Sequence, residues 1–85
     1  MKKKVQRKSE IRKYYLSEFQ LYDGEAFVTF NIVAIDTSKN EITVAVSNRG
    51  RISVITYDLL TDNNGSLYFE YGVDYEKIYT DDFEV

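Results

Sequence analysis

Histidine and cysteine are both absent from the 85 residues. The side chain that titrates near neutral pH, the most nucleophilic side chain and most transition-metal ligands are therefore missing together. Their absence excludes the usual hydrolase, deaminase and zinc mechanisms. Paired carboxylates could still supply a general acid and a general base, but only in a cleft that holds a substrate and drives two pKa values apart. A chain of this length buries only about 60 to 65 % of the surface its unfolded form exposes, too little for both a core and a deep pocket. The expectation is a protein that is not an enzyme and uses no cofactor or metal.

Two acidic segments have the composition of cation sites. Asp62-Asn63-Asn64-Gly65 fits positions 3, 5 and 6 of a calcium-binding loop, but the first ligand position would fall on Leu60 and the bidentate one on Tyr71. The same four residues are what a tight turn requires, and the turn reading is preferred. Asp81-Asp82 with Glu84 reads as a solvated acidic end. Gly24, Gly50, Gly65 and Gly72 stand singly at turns, so no phosphate-cradling loop is present.

Charge is more informative. Residues 1–13 hold seven Lys or Arg against Glu10, a balance of +6, while residues 14–85 hold four basic and thirteen acidic side chains, a balance of −9. In residues 52–85 Lys77 alone opposes eight carboxylates, a balance of −7, with Tyr57, Tyr68, Tyr71, Tyr75 and Tyr79 interleaved. Carboxylates on a rigid sheet can imitate a nucleic-acid backbone before a basic groove, and Tyr adds rigid amphipathic contact area. This assigns partner binding to Asp58, Glu70, Asp74, Tyr75, Glu76, Tyr79, Asp81 and Asp82. The competing arrangement is a nucleic-acid site built from Lys3, Lys4, Arg7, Lys8, Arg12 and Lys13 with Arg49 and Arg51, opposed by repulsion from the acidic body. A third reading is a structural adaptor whose charges only confer solubility.

The elements that must carry these residues read as strands. Residues 1–9 form a flexible basic tail and 10–85 one domain. From Ser9 a short helical turn competes with extended chain, and a strand is preferred from about Leu16. Asp23-Gly24 between β-prone runs signals a two-residue hairpin, which would set Leu21 opposite Ala26 and Phe19 opposite Val28. Residues 26–35 are apolar on both faces, as a central strand covered on two sides would be. Thr37-Ser38-Lys39-Asn40 is a turn, and Ile42, Val44 and Val46 then share one face of residues 41–47. Asn48-Arg49-Gly50 reads as a three-residue loop, setting Val46 against Ile52 and Val44 against Val54. A strand over 51–60 and one over 67–71 follow, and either the latter or the C-terminal segment could offer an edge for pairing two copies. Residues 75–85 are either an edge strand or an irregular segment pinned by Ile78 and Phe83. The whole is an all-β antiparallel meander of about five strands, curled into a partly open, SH3-like barrel that hides its edges.

With no cysteine for disulfide staples, a reducing cytoplasm is the expected compartment, and the Asn64-Gly65-Ser66 sequon is expected to go unused. The segment Val5-Gln6-Arg7-Lys8-Ser9-Glu10 stands where a signal peptide would need its apolar core, and no membrane span is evident. The small size, lysine-rich start, Tyr/Asn/Asp/Lys-rich composition and the Tyr79-Thr80-Asp81-Asp82-Phe83-Glu84 ending resemble the small proteins of Gram-positive phages and conjugative elements, which include anti-CRISPR and antirestriction inhibitors. That resemblance implies an inhibitor or accessory protein of a mobile element and transfers no site residue. The combined expectation is a monomer or weak dimer that binds a protein with a basic surface, such as a nuclease, rather than nucleic acid or membrane.

Overall fold

A computed structural model of the chain describes residues 17–83. The basic tail, with Lys3, Lys4, Arg7, Lys8, Arg12 and Lys13, and the helix-or-strand choice before Ser17 lie outside the described residues, as does Glu84. Among the described residues seven strands run in chain order: β1 (Glu18–Tyr22), β2 (Phe27–Asp36), β3 (Glu41–Asn48), β4 (Arg51–Asp58), β5 (Leu60–Thr61), β6 (Leu67–Tyr71) and β7 (Glu76–Tyr79), followed by a 3-10 turn, Thr80–Asp82. They form two antiparallel sheets, β1-β2-β3-β4 and β5-β6-β7. The all-β meander holds, but the sheets do not close into a barrel. The last segment resolves both alternatives: β7 is an edge strand, and the 3-10 turn after it is pinned by buried Ile78 and Phe83.

Three of the loops are built by one device. An aspartate at the loop start turns its Oδ1 onto backbone N–H groups ahead of it, offering the chain a local alternative to the ladder. Asp23 accepts from Glu25 and Ala26 at 3.0 Å, Asp36 from Ser38 at 3.1 Å and Lys39 at 3.2 Å, and Asp62 from Asn64 and Ser66 at 2.9 Å. At Asp23 the device overrides the two-residue hairpin. The loop takes in residues 23–26 and Tyr22 pairs with Phe27, so Leu21 stands opposite Val28 and Phe19 opposite Phe30. The slip from expectation is two residues, which leaves every side chain on its intended face.

The next hairpin differs by one residue, with larger consequences. Arg49 (φ 53°) and Gly50 (φ 80°) alone make the turn, the paired positive dihedrals of a type I′ hairpin. Asn48 closes on Arg51, Val46 stands opposite Ser53 and Val44 opposite Ile55. Ile52 and Val54, expected on the core face, therefore point outward and are 71 % and 65 % exposed. Nor is β2 covered on both sides. Val28, Phe30 and Ile32 are buried while Phe27 is 58 % exposed. An irregularity between Ile32 and Ala34 inserts Val33, so part of the apolar run is a bulge rather than a second buried face.

The core lies between the sheets. Leu59, buried, carries the chain from β4 into the second sheet and ends the strand expected to reach residue 60. Phe30, fully buried, meets Tyr71 and Phe69 edge-on at ring-centroid distances of 4.9 and 6.0 Å, and Tyr57 stacks on Phe69 at 4.9 Å. Offset and edge-to-face geometries such as these place ring edges on ring faces, which adds to the hydrophobic gain. Residues 67–71, expected to offer an edge, form the central strand of the second sheet.

Candidate functional site

The second sheet carries most of the residues assigned to partner binding, and its register decides which of them stand together. Glu70 pairs with Lys77, Tyr68 with Tyr79 and Tyr71 with Glu76. On the face turned from the core, the Tyr68 and Tyr79 rings lie 5.3 Å apart and the Lys77 ammonium sits 5.2 Å from the Tyr68 centroid. Glu70 therefore faces a cation across the strands. Asp74 and Tyr75 occupy the β6–β7 turn, where Tyr75 has a positive φ of 53° and its N–H donates to the Gly72 carbonyl at 3.2 Å.

The eight residues thus fall into three places. Glu70, Asp74, Tyr75 and Glu76 gather at the β6–β7 turn. Tyr79, Asp81 and Asp82 gather at the other end, roughly 10 Å away along a strand rising about 3.3 Å per residue. Asp58 closes β4 in the first sheet, exposed and directly opposite Glu41. At the far end the 3-10 turn is anchored by buried Thr80, whose hydroxyl donates to the Leu67 carbonyl at 3.5 Å, and by Phe83, whose ring lies 5.7 Å from Phe19. Asp81 and Asp82 are held outward by that anchoring.

Titration shifts follow from the local geometry. The Ser66 N–H holds the Asp62 carboxyl below its ordinary value, helped by the Asn64 N–H and the Tyr79 hydroxyl, against a smaller opposing effect of burial. Burial pushes the Tyr79 hydroxyl up, and the Asp62 carboxylate pushes it further. Asp36 is lowered first by the Ser38 hydroxyl and Asp23 first by the Ala26 N–H. These three aspartates are engaged in turns, so part of the acidic excess shapes the backbone. Burial also raises Tyr57.

Of the cations assigned to nucleic acid, Arg49 contacts Glu25 at 2.7 Å and Asp23 at 3.7 Å, tying the β3–β4 turn to the β1–β2 turn. Arg51 is exposed at the start of β4. Among the described residues no group of three or more carboxylates could hold a metal ion, and no helix is long and apolar enough to cross a membrane.

Sequence reasoning placed a strand at β4 but missed that it is an exposed edge. The strand is exposed along nearly its whole length, with Ile52, Val54 and Ile55 accessible, and among the described residues it pairs with β3 alone. The signal lay in Arg49-Gly50, which can form a complete two-residue turn without Asn48. The chain matches no protein-family model, and comparison with curated proteins and with solved structures likewise returns no match.

Proposed function

We propose that this chain is a non-catalytic binding protein that presents an acidic, tyrosine-bearing surface to a basic surface on a protein partner, as an inhibitor or accessory protein of a nucleic-acid enzyme would. The observation that carries this reading is the charge of the folded body. Residues 17–83 hold twelve carboxylates against four cations, a balance of −8. The ion pairs among the described residues both use Arg49. Asp74, Glu76, Asp81 and Asp82 are exposed on a sheet fixed by its core, so the negative field is displayed on a rigid support.

The test combines charge reversal with gel shifts. Replacing Asp74, Glu76, Asp81 and Asp82 with Lys is expected to abolish binding to immobilised basic nucleases, while removal of residues 1–8 leaves it nearly unchanged. DNA and RNA, single- and double-stranded, should show no shift at moderate salt. A shift that weakens steeply with salt and disappears with residues 1–8 would instead establish phosphate contacts by the basic arm.

A further inference from the structure

We infer that β4 is a self-association edge, through which two copies pair antiparallel about a two-fold axis at Val54 to join their four-stranded sheets into one of eight. The first support is the direction of the backbone groups. In a two-residue hairpin the closing residues, here Asn48 and Arg51, form a hydrogen-bonded pair, and such pairs then recur at every second residue. Arg51, Ser53, Ile55 and Tyr57 accordingly spend their N–H and C=O groups on β3. The pattern continues past the strand, where the Leu59 N–H donates to the Asn40 carbonyl at 2.8 Å. Ile52, Val54 and Thr56 direct theirs away from the sheet, a ladder that is open among the described residues and that only another extended strand satisfies fully.

The second support is how little guards this edge. Natural edges carry Lys, Pro or inward charge. In β4 the charges stand only at the ends, Arg51 and Asp58, and the chain contains no Pro. The edge strand β7, by contrast, begins Glu76-Lys77 and is four residues long.

The third support identifies a second copy as the occupant. Antiparallel neighbours related by a two-fold axis must keep the same sheet face, so outward residues meet outward residues. An axis at Val54 sets Val54 against Val54 and Ile52 against Thr56, each a β-branched pair on one face, and every one of these residues has its free backbone groups turned to the other strand. A shift of the axis to Ile55 would set Ile52 against Asp58. Charge agrees with the antiparallel sense, because Arg51 reaches the acidic end of Asp58 and its neighbour Glu41 in the other copy, while Arg49 is held by Glu25 and Asp23 of its own chain. A parallel pair would bring like ends together.

The test uses the full-length protein in sedimentation velocity from about 5 µM to about 1 mM, a range suited to a small interface. The wild type is expected to shift from monomer towards dimer, and Val54→Lys, a change at an exposed position, should remain monomeric throughout. Register is read by single cysteines in this cysteine-free chain. Under mild oxidation Val54→Cys should yield a covalent dimer, since facing residues of a hydrogen-bonded pair lie about 5.5 Å apart. Ile52→Cys should not, since its two copies would stand four residues out of line. A wild type that stays monomeric, a Val54→Lys variant that dimerises like wild type, or equal cross-linking of the two cysteine variants would each overturn the inference.

Discussion

Phe30→Leu and Phe27→Leu, three positions apart on β2, are expected to differ sharply in their effect on stability. Phe30 is fully buried and meets Phe69 and Tyr71 edge-on, each such pair contributing about 0.5 to 1.5 kcal/mol beyond area burial. Replacing the ring with leucine removes both pairs, for a loss of about 1 to 3 kcal/mol. Phe27 is 58 % exposed, so less than half of a phenylalanine's burial energy, about 1 kcal/mol of roughly 2.5, is at stake, and leucine keeps most of that. Among the described residues its ring partner is Tyr22, at 5.2 Å on the same exposed face. The loss at Phe27 should stay within about 0.5 kcal/mol. In urea, followed by far-UV circular dichroism, a chain of this size has a slope near 1 kcal/mol per molar. Phe30→Leu should therefore lower the midpoint by about 1 to 3 M and Phe27→Leu by less than about 0.5 M. Equal shifts would refute the one-sided burial of β2 and restore the two-sided strand that its composition suggests.

The β3–β4 turn and the aspartate loops give two further expectations. Gly50 has a φ of 80° and a Cβ there would meet nothing within 4 Å, so Gly50→Ala should cost about 1 kcal/mol through backbone strain alone, and Gly50→Asn less, measured by the same urea midpoints. Asp23, Asp36 and Asp62 have folded pKa values below the ordinary carboxylate value of 3.8, so the unfolded chain binds more protons as pH falls through that value. Their contribution is complete above about pH 5 and is lost progressively on acidification below it. Asp62→Asn, which keeps a turn acceptor without the charge, should flatten the acid limb of the stability profile while Asp62→Ala lowers stability at neutral pH as well.

What could be read from the sequence depended on whether a feature is set by side-chain alternation or by one backbone turn. Ile42, Val44 and Val46 alternate strictly and are all buried, and Leu67, Phe69 and Tyr71 all face the core. The loops at residues 37–40 and 62–65 were legible because Ser and Asn in the first, and Asp, Asn and Gly in the second, have specific backbone uses there. The registers were not. Arg49-Gly50 and Asn48-Arg49-Gly50 are both acceptable hairpin loops by composition, and the choice between them, one residue apart, reverses the two faces of β4. The alternation of Ile52 and Val54 favoured the wrong one, because an apolar pattern normally marks the core face. Here it marks the exposed one. The candidate site was legible as a list of acidic and tyrosine residues but not as an arrangement, since the pairing of Glu70 with Lys77 and the separation of Asp74 from Asp81 follow from the β6–β7 register.

That reversal separates two kinds of surface on one small body. Between Ile52 and Tyr57 there is no ionisable group other than the tyrosine, whereas carboxylates crowd the ends of the second sheet. Contact through the first kind depends mainly on backbone hydrogen bonds and β-branched side chains, which salt leaves almost untouched, and only the attraction between Arg51 and Asp58 at the strand ends is screened. Contact through the second depends on exposed charges, which a Debye length of about 8 Å at physiological ionic strength already screens and higher salt screens further. Two copies also repel one another through their surplus carboxylates, and screening removes that opposition. Added salt therefore pulls the two contacts apart: it weakens attachment to a basic partner while preserving or strengthening the pairing of β4 edges. A single surface serving both roles would have to respond to salt in one direction, so the division between a charged sheet and an uncharged edge is itself what makes the two proposals independent.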